Sequence, residues 1–341
     1  MKSKCAGFLY EANMIYLDHI ATFCSLFSFP LICTDKGIAQ LATDLYPDLL
    51  VDLRIEQDWS KIVVKKYNCI FTCLPYLFCD PLFFVERHVQ RKRFFSIWVP
   101  HGNSDKKNLN GLVGDKIALL YGNQMLDRLK KIGLLKKLYG SKIVGNFRSY
   151  FFQKNESFYR EKLMPLLTFR DTKRKTIFYA PTWCDYGIQN HLPKIIAMLS
   201  QRYNLLIKLH PNTLMQSFYL HLEEKNSNNP YVKFIHDIPT IFPILSVVDI
   251  LITGFSSIAY DFLFFQKPIF FLTRKHGPIC HCGYRSSIKT LLSDLEKPDI
   301  FSDARSDLYR YAFSHEVDYS QMRRELLEIC HRFLQGEALF L

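Results

Sequence analysis

The chain has 341 residues, 48% of them apolar, 22% charged and 15% aromatic. At about 150 residues per domain this length predicts two domains, and the composition excludes disordered and fibrous classes. Net charge is +12 and uneven: residues 1–155 hold 22 Lys/Arg against 13 Asp/Glu, and residues 156–341 hold 22 against 19. A basic first half points to an anionic partner, whether membrane surface, phosphorylated substrate or nucleic acid.

Short apolar runs alternate with longer amphipathic ones. Strands are predicted at residues 5–10, 30–33, 49–53, 69–74, 94–99, 116–120 and 141–144, with helices at 14–27, 38–45 and 123–139. A polar stretch at 171–175 opens a second series. Its strands are at 176–179, 204–209, 232–234, 249–253 and 269–272, and its helices at 192–201, 218–225, 240–247, 258–265 and 322–334. Strand–helix alternation implies parallel sheets covered by helices, here as two Rossmann-like domains whose sheets face a central cleft. The expected boundaries are 1–155 for an acceptor- and membrane-side domain, 156–320 for a nucleotide-donor domain, and 321–341 for a C-terminal helix.

The ten cysteines include no CxxC pair and read as reduced thiols of a cytosolic protein. The basic start Met1-Lys2-Ser3-Lys4 is followed by a run broken by Glu11 and Asp18, which does not read as a signal peptide. The longest apolar stretch, 69–85, is interrupted by Pro75, Asp80 and Pro81 and is too short to span a bilayer. Cys280-His281-Cys282, with His276 nearby, is too tightly spaced for a usual zinc site, and no metal or cofactor is expected.

Four segments place polar residues just past a predicted strand, where open α/β sheets bind ligands. In His101-Gly102-Asn103 the histidine can take a proton from a hydroxyl near neutral pH, and the glycine permits close approach of a ligand. Thr182 in Tyr179-Ala180-Pro181-Thr182-Trp183 can donate to phosphate or ribose. Lys208 and His210 alternate onto one sheet face and can both reach a polyphosphate. Ser256 and Ser257 follow Gly254 where a helix starts, a place that suits a phosphate and equally suits a plain helix cap. Each histidine has a structural alternative, as does His19 on the first helix. Arg285 stands beside the expected cleft as a further phosphate contact. No P-loop and no GxGxxG occur, which disfavours hydride transfer with NAD.

Two basic runs remain: residues 87–93, and Arg128, Lys130, Lys131, Lys136 and Lys137 with leucines between them. The second reads either as an amphipathic helix on anionic lipid or as a solvated face above a core stripe.

The ordered set His101-Gly102, Tyr179 to Trp183, Lys208-Leu209-His210-Pro211 and Ser256-Ser257 followed by Tyr260-Asp261 resembles the CDP-glycerol glycerophosphotransferase family, over about residues 94–272. The resemblance implies a GT-B fold. It implies a transferase moving glycerol phosphate from a CDP-linked donor to a hydroxyl of a lipid-linked or cell-surface glycan, and the short chain fits a single-addition transferase better than a processive polymerase. It implies His101 as base on the acceptor hydroxyl and His210 as the second essential histidine near the donor pyrophosphate. Ser256, Ser257, Lys208, Thr182 and Asp261 would bind donor phosphate. The partners expected are the donor, the acceptor and an anionic membrane surface, with no nucleic acid. The location expected is cytoplasmic, peripheral on the inner face of the membrane. Asn103, Cys184 and Gly254 depart from the family's usual pattern. The alternatives are a GT-B glycosyltransferase using a nucleotide sugar, a nucleotide-sugar epimerase, and a non-catalytic basic binding module.

Overall fold

The computed structural model describes residues 4–105, 112, 114, 117–182, 188–209, 217–314 and 317–337. It divides into two units: residues 1–101, 107–154 and 311–341 form the first, and 102–106 with 155–310 the second.

In the first unit β1 (Cys5–Leu9), β2 (Leu31–Cys33), β3 (Val51–Leu53), β4 (Cys69–Thr72), β5 (Phe95–Trp98), β6 (Ile117–Leu120) and β7 (Gly140–Ile143) make one sheet. Its order is β3-β2-β1-β4-β5-β6-β7, with every pair parallel. The second unit holds β8 (Thr176–Ala180), β9 (Asn204–Ile207), β10 (Val232–Phe234), β11 (Ile250–Thr253), β12 (Ile269–Phe271) and β13 (Tyr284–Arg285), in order β10-β9-β8-β11-β12-β13. These pairs are parallel as well. Both sheets therefore reverse strand order once, between β1 and β4 and between β8 and β11. That crevice, outside the strands' carboxyl ends, is where doubly wound sheets hold ligands.

Central strands are apolar over most of their length because helices cover both faces. β4, β6, β9 and β11 are buried at every residue. Edge strand β3 is not. β13 is two residues long, and Gly283 before it lets the chain lie against β12: a Cβ there would stand 2.1 Å from the Ile269 carbonyl oxygen.

Three of the differences from the sequence expectation matter most. The helix predicted over 123–139 ends at Lys131, because Gly133 takes φ +71° and closes a Schellman turn. There Gly133 N donates to Lys130 O and Leu134 N to Leu129 O. The apolar stretch 69–85 is split into β4 and a helix, Tyr76–Val89, that begins after Pro75. Finally, the chain returns to the first unit at Tyr311. Its last helix, Tyr319–Gln335, buries Met322, Leu326, Ile329 and Cys330. Arg323 Nε donates to Phe27 O at 2.7 Å, and Lys142 pairs with Glu325 at 2.8 Å.

Candidate functional site

In the first unit, β5 delivers His101 to a carboxyl end of the sheet. Its ring packs among Tyr16, Trp98 and His19, with centroids 4.7, 5.9 and 6.5 Å away. The residue is half-buried, but Nδ1 is shielded from solvent and has no hydrogen-bond partner among the described residues. Burial pushes the imidazole pKa down from 6.5 to about 4. His101 is therefore neutral at physiological pH, with a lone pair available to accept a proton.

His19, on the helix Met14–Phe27, is buried beside it. Its Nδ1 lies 3.1 Å from the Tyr121 hydroxyl, which itself donates to Pro100 O at 3.1 Å. The Tyr121 proton being committed to the carbonyl, His19 donates from Nδ1 and keeps Nε2 as an acceptor. Burial first, then the Arg148 charge, holds His19 well below its ordinary pKa. Next to it in sequence, Asp18 forms a buried ion pair with Arg148 and accepts from Tyr46 Oη at 3.1 Å. This arrangement fixes the helix that forms one wall around His101.

The peptide after His101 passes into the second unit. Gly102 takes φ +114°, a conformation side chains disfavour, so the glycine is needed there for the turn itself. Asn103 is fully buried, and its Oδ1 accepts from Ser104 N at 3.0 Å. Asp105 was not singled out by the sequence, yet it braces the second unit. Its carboxylate accepts from Tyr260 Oη at 2.5 Å and from Ile279 N at 3.0 Å. Gly277 lets this carboxylate in, since a Cβ there would lie 2.7 Å from Asp105 Oδ2.

Within the second unit, the described predicted residues follow the carboxyl ends of β8, β9 and β11. Thr182 follows β8, and its buried hydroxyl has no hydrogen-bond partner among the described residues. Adjacent β11 ends at Thr253, whose hydroxyl donates to Ala180 O at 2.6 Å and ties the two strand ends together. Half-buried Ser256 caps the helix Ser257–Phe262, Ile258 N donating to its Oγ at 3.5 Å. Ser257 is half-buried at the first helical position, and Asp261 is buried one turn on. Lys208, after β9, donates from Nζ to Ile238 O at 3.0 Å and His236 O at 3.5 Å. Backbone carbonyls thus hold its ammonium group. His210, Trp183 and Cys184 lie outside the described residues.

The Cys280–Cys282 turn is packed against its own backbone. Cys280 Sγ donates to Lys275 O and Cys282 Sγ to Ala304 O, while Arg285 Nη1 lies 3.0 Å from His276 Nδ1. Among the described residues, the one group of cysteines, histidines or carboxylates close enough to share an ion is Cys5, Cys69 and Cys330, all buried. Cys5 and Cys69 are partners in the β1–β4 register, at the amino ends of those strands, away from the carboxyl-end site.

Two parallel six- and seven-stranded units of this topology make a GT-B-like fold. The structure superposes on the wall teichoic acid polymerase TagF with TM-score 0.64, at 12% identity, covering 98% of this chain and 89% of that one. It also superposes on UDP-GlcNAc 2-epimerase from Neisseria meningitidis, with TM-score 0.64, 11% identity, and 95% and 100% coverage. At these identities the likeness is one of fold. Residues 154–276 match the family CDP-Glycerol:Poly(glycerophosphate) glycerophosphotransferase, and the resemblance read from the motifs holds over that segment. Thr182, Lys208, His210, Ser256, Ser257 and Asp261 fall inside it, and His101 outside. A teichoic acid glycerol-phosphate primase of Bacillus subtilis is 34% identical over 124 residues, 35% of this chain and 31% of that protein. The one of Bacillus spizizenii is 31% identical over 106 residues. The chain thus spans about a third of the length of the curated relatives it matches.

Proposed function

We propose that the protein transfers glycerol phosphate from CDP-glycerol to a hydroxyl of a lipid-linked or cell-surface glycan, at the inner face of the membrane. The observation that carries this is the family match over residues 154–276, which contains six of the seven residues assigned to the chemistry. The fold alone does not choose, since epimerases acting on nucleotide sugars share it.

In the proposed reaction His101 accepts the acceptor hydroxyl's proton. The oxygen attacks the phosphorus that carries glycerol, the phosphoanhydride bond breaks, and CMP leaves. One phosphodiester forms and one proton is released. Ser256, Ser257, Thr182 and His210 supply donors to the diphosphate as charge moves onto the leaving group. Asp261, buried one turn after the serines, and Lys208, past β9, complete the proposed donor site. The Thr182 hydroxyl, without a partner among the described residues, is what a site awaiting a polar ligand presents, because a buried hydroxyl left unbonded costs about 1–3 kcal/mol.

The test is thermal stabilisation of the full chain by CDP-glycerol, CDP, UDP-GlcNAc and GDP-mannose. A ligand that binds the folded state alone raises the midpoint by mass action. Stabilisation by CDP and CDP-glycerol, lost in Ser257→Ala, supports the proposal. Stabilisation by a UDP or GDP ligand instead moves the function to sugar chemistry. No response to any nucleotide turns it to the binding module.

A further inference from the structure

The helix Tyr76–Val89 has its apolar side on the wrong face for a core helix. Leu77, Phe78, Pro81, Phe84, Val85, His88 and Val89 are all exposed, at spacings of 1, 3 or 4 residues that trace one helical stripe. Leu77 is 62% exposed, Phe78 69%, Phe84 49%, Val85 63% and Val89 73%. At 1.5 Å per residue the stripe runs about 18 Å. The opposite side carries Cys79 and Phe83, both buried against the sheet, so both sides of this helix are apolar. Elsewhere among the described residues, exposed large apolar side chains stand singly or in short groups, which needs no explanation.

Charge surrounds this stripe. Arg87, Arg91, Lys92 and Arg93 line a shallow hollow where the helix ends. The neighbouring helix Trp59–Lys66 adds Lys61 and Lys65, held alongside by Gln90 Nε2 donating to Lys61 O and Lys92 Nζ donating to Lys65 O. On the acidic side, Asp80 is paired with Arg87, and Glu86 accepts from Gln90. Lys61, Lys65 and Arg91 enter no ion pair among the described residues.

We infer that this face is a docking surface for an anionic lipid bilayer. An exposed apolar stripe rimmed by lysines and arginines is the pattern of a helix lying in the membrane interface, its apolar side chains below the headgroups and its cations among them. A second copy of the chain fits poorly, because pairing the stripes would bring two basic rims together. The other basic run does not share the pattern. Met125, Leu129 and Leu134 are buried, so the apolar side of 123–137 belongs to the core. The membrane contact proposed above is thereby given a surface.

The test is co-sedimentation of the full chain with vesicles of equal parts phosphatidylglycerol and phosphatidylcholine, and with phosphatidylcholine alone. No donor or acceptor is present, so the result stands or falls apart from glycerol-phosphate transfer. Wild type is expected to bind the anionic vesicles, less tightly as salt rises. Phe78→Glu/Val85→Glu should weaken binding at least about tenfold. Lys61→Glu/Arg91→Glu should remove the preference for anionic lipid, and Lys136→Glu/Lys137→Glu should bind as wild type does. All six positions are exposed, and unchanged thermal midpoints check that folding is intact. Undiminished vesicle binding by Phe78→Glu/Val85→Glu overturns the inference. So does a wild type that ignores vesicles and forms a dimer which that variant abolishes.

Discussion

At the scale of single residues, burial sets the chemistry of His101. Its folded pKa, about 4, lies below the unfolded value of about 6.5, so the unfolded chain takes up the proton first. The stability contributed by this neutral imidazole is fully present above pH 6.5 and is lost as pH falls toward 4. His19 titrates in the same direction. The denaturant midpoint is therefore expected to fall between pH 6.5 and 5, and to fall less steeply in His101→Gln. An equal slope in that variant would assign the pH dependence elsewhere. For catalysis the same depression predicts that kcat/KM stays flat through pH 6.5 on the acid side. Removing the proposed base in His101→Ala should lower kcat by about 10²–10⁴-fold while leaving CDP-glycerol binding in place. Two pairings should dominate stability. Asp18→Ala removes the carboxylate paired with the buried Arg148 guanidinium, at a cost of about 3–5 kcal/mol in chemical unfolding. Asp105→Ala removes the acceptor shared by the Tyr260 hydroxyl and the Ile279 amide, at about 1–3 kcal/mol.

The elements show which parts of this were legible in the sequence. Strands such as β9 and β11 were readable because a strand buried on both faces is a short apolar run with polar punctuation. Their ends located His101, Thr182, Lys208 and the serine pair, because ligand chemistry in these sheets gathers past strand ends. The ion pair of Asp18 with Arg148 spans 130 residues and the bond from Tyr260 to Asp105 spans 155. Nothing in local spacing announces such partners. Lys208 was legible as a cation near the site, but not that backbone carbonyls would occupy it. The helix Tyr76–Val89 was hidden for another reason. Periodicity reports that apolar residues share a face, not whether that face meets core or solvent. Gly283 was equally silent, although the β12–β13 pairing depends on it. Gly283→Ala must push the strands apart and is expected to cost about 1–3 kcal/mol, read as a lower denaturant midpoint. An unchanged midpoint would mean that β13 tolerates a shift away from β12.

For the whole molecule, the family resemblance covers a segment of the second unit, while the fold likeness extends over nearly the entire chain. The first unit is completed by residues far apart in sequence, since the last helix buries Leu326 and Cys330 in it and Cys330 Sγ lies 3.5 Å from Cys69 Sγ. Truncation before Tyr319 is expected to make the first unit protease-sensitive. Persistence of a resistant first unit after that truncation would show that the helix is dispensable. The central claim, glycerol-phosphate transfer, is tested most directly by incubating the protein with CDP-glycerol carrying radiolabelled glycerol and with bacterial membranes as acceptor. CMP release and lipid-extractable label are then measured together. The account predicts that both rise in equal amounts with wild type. Both should fall about 10²–10⁴-fold in His101→Ala, and fall sharply in Ser257→Ala. CMP-free reactions with wild type, or full transfer by His101→Ala, would contradict it.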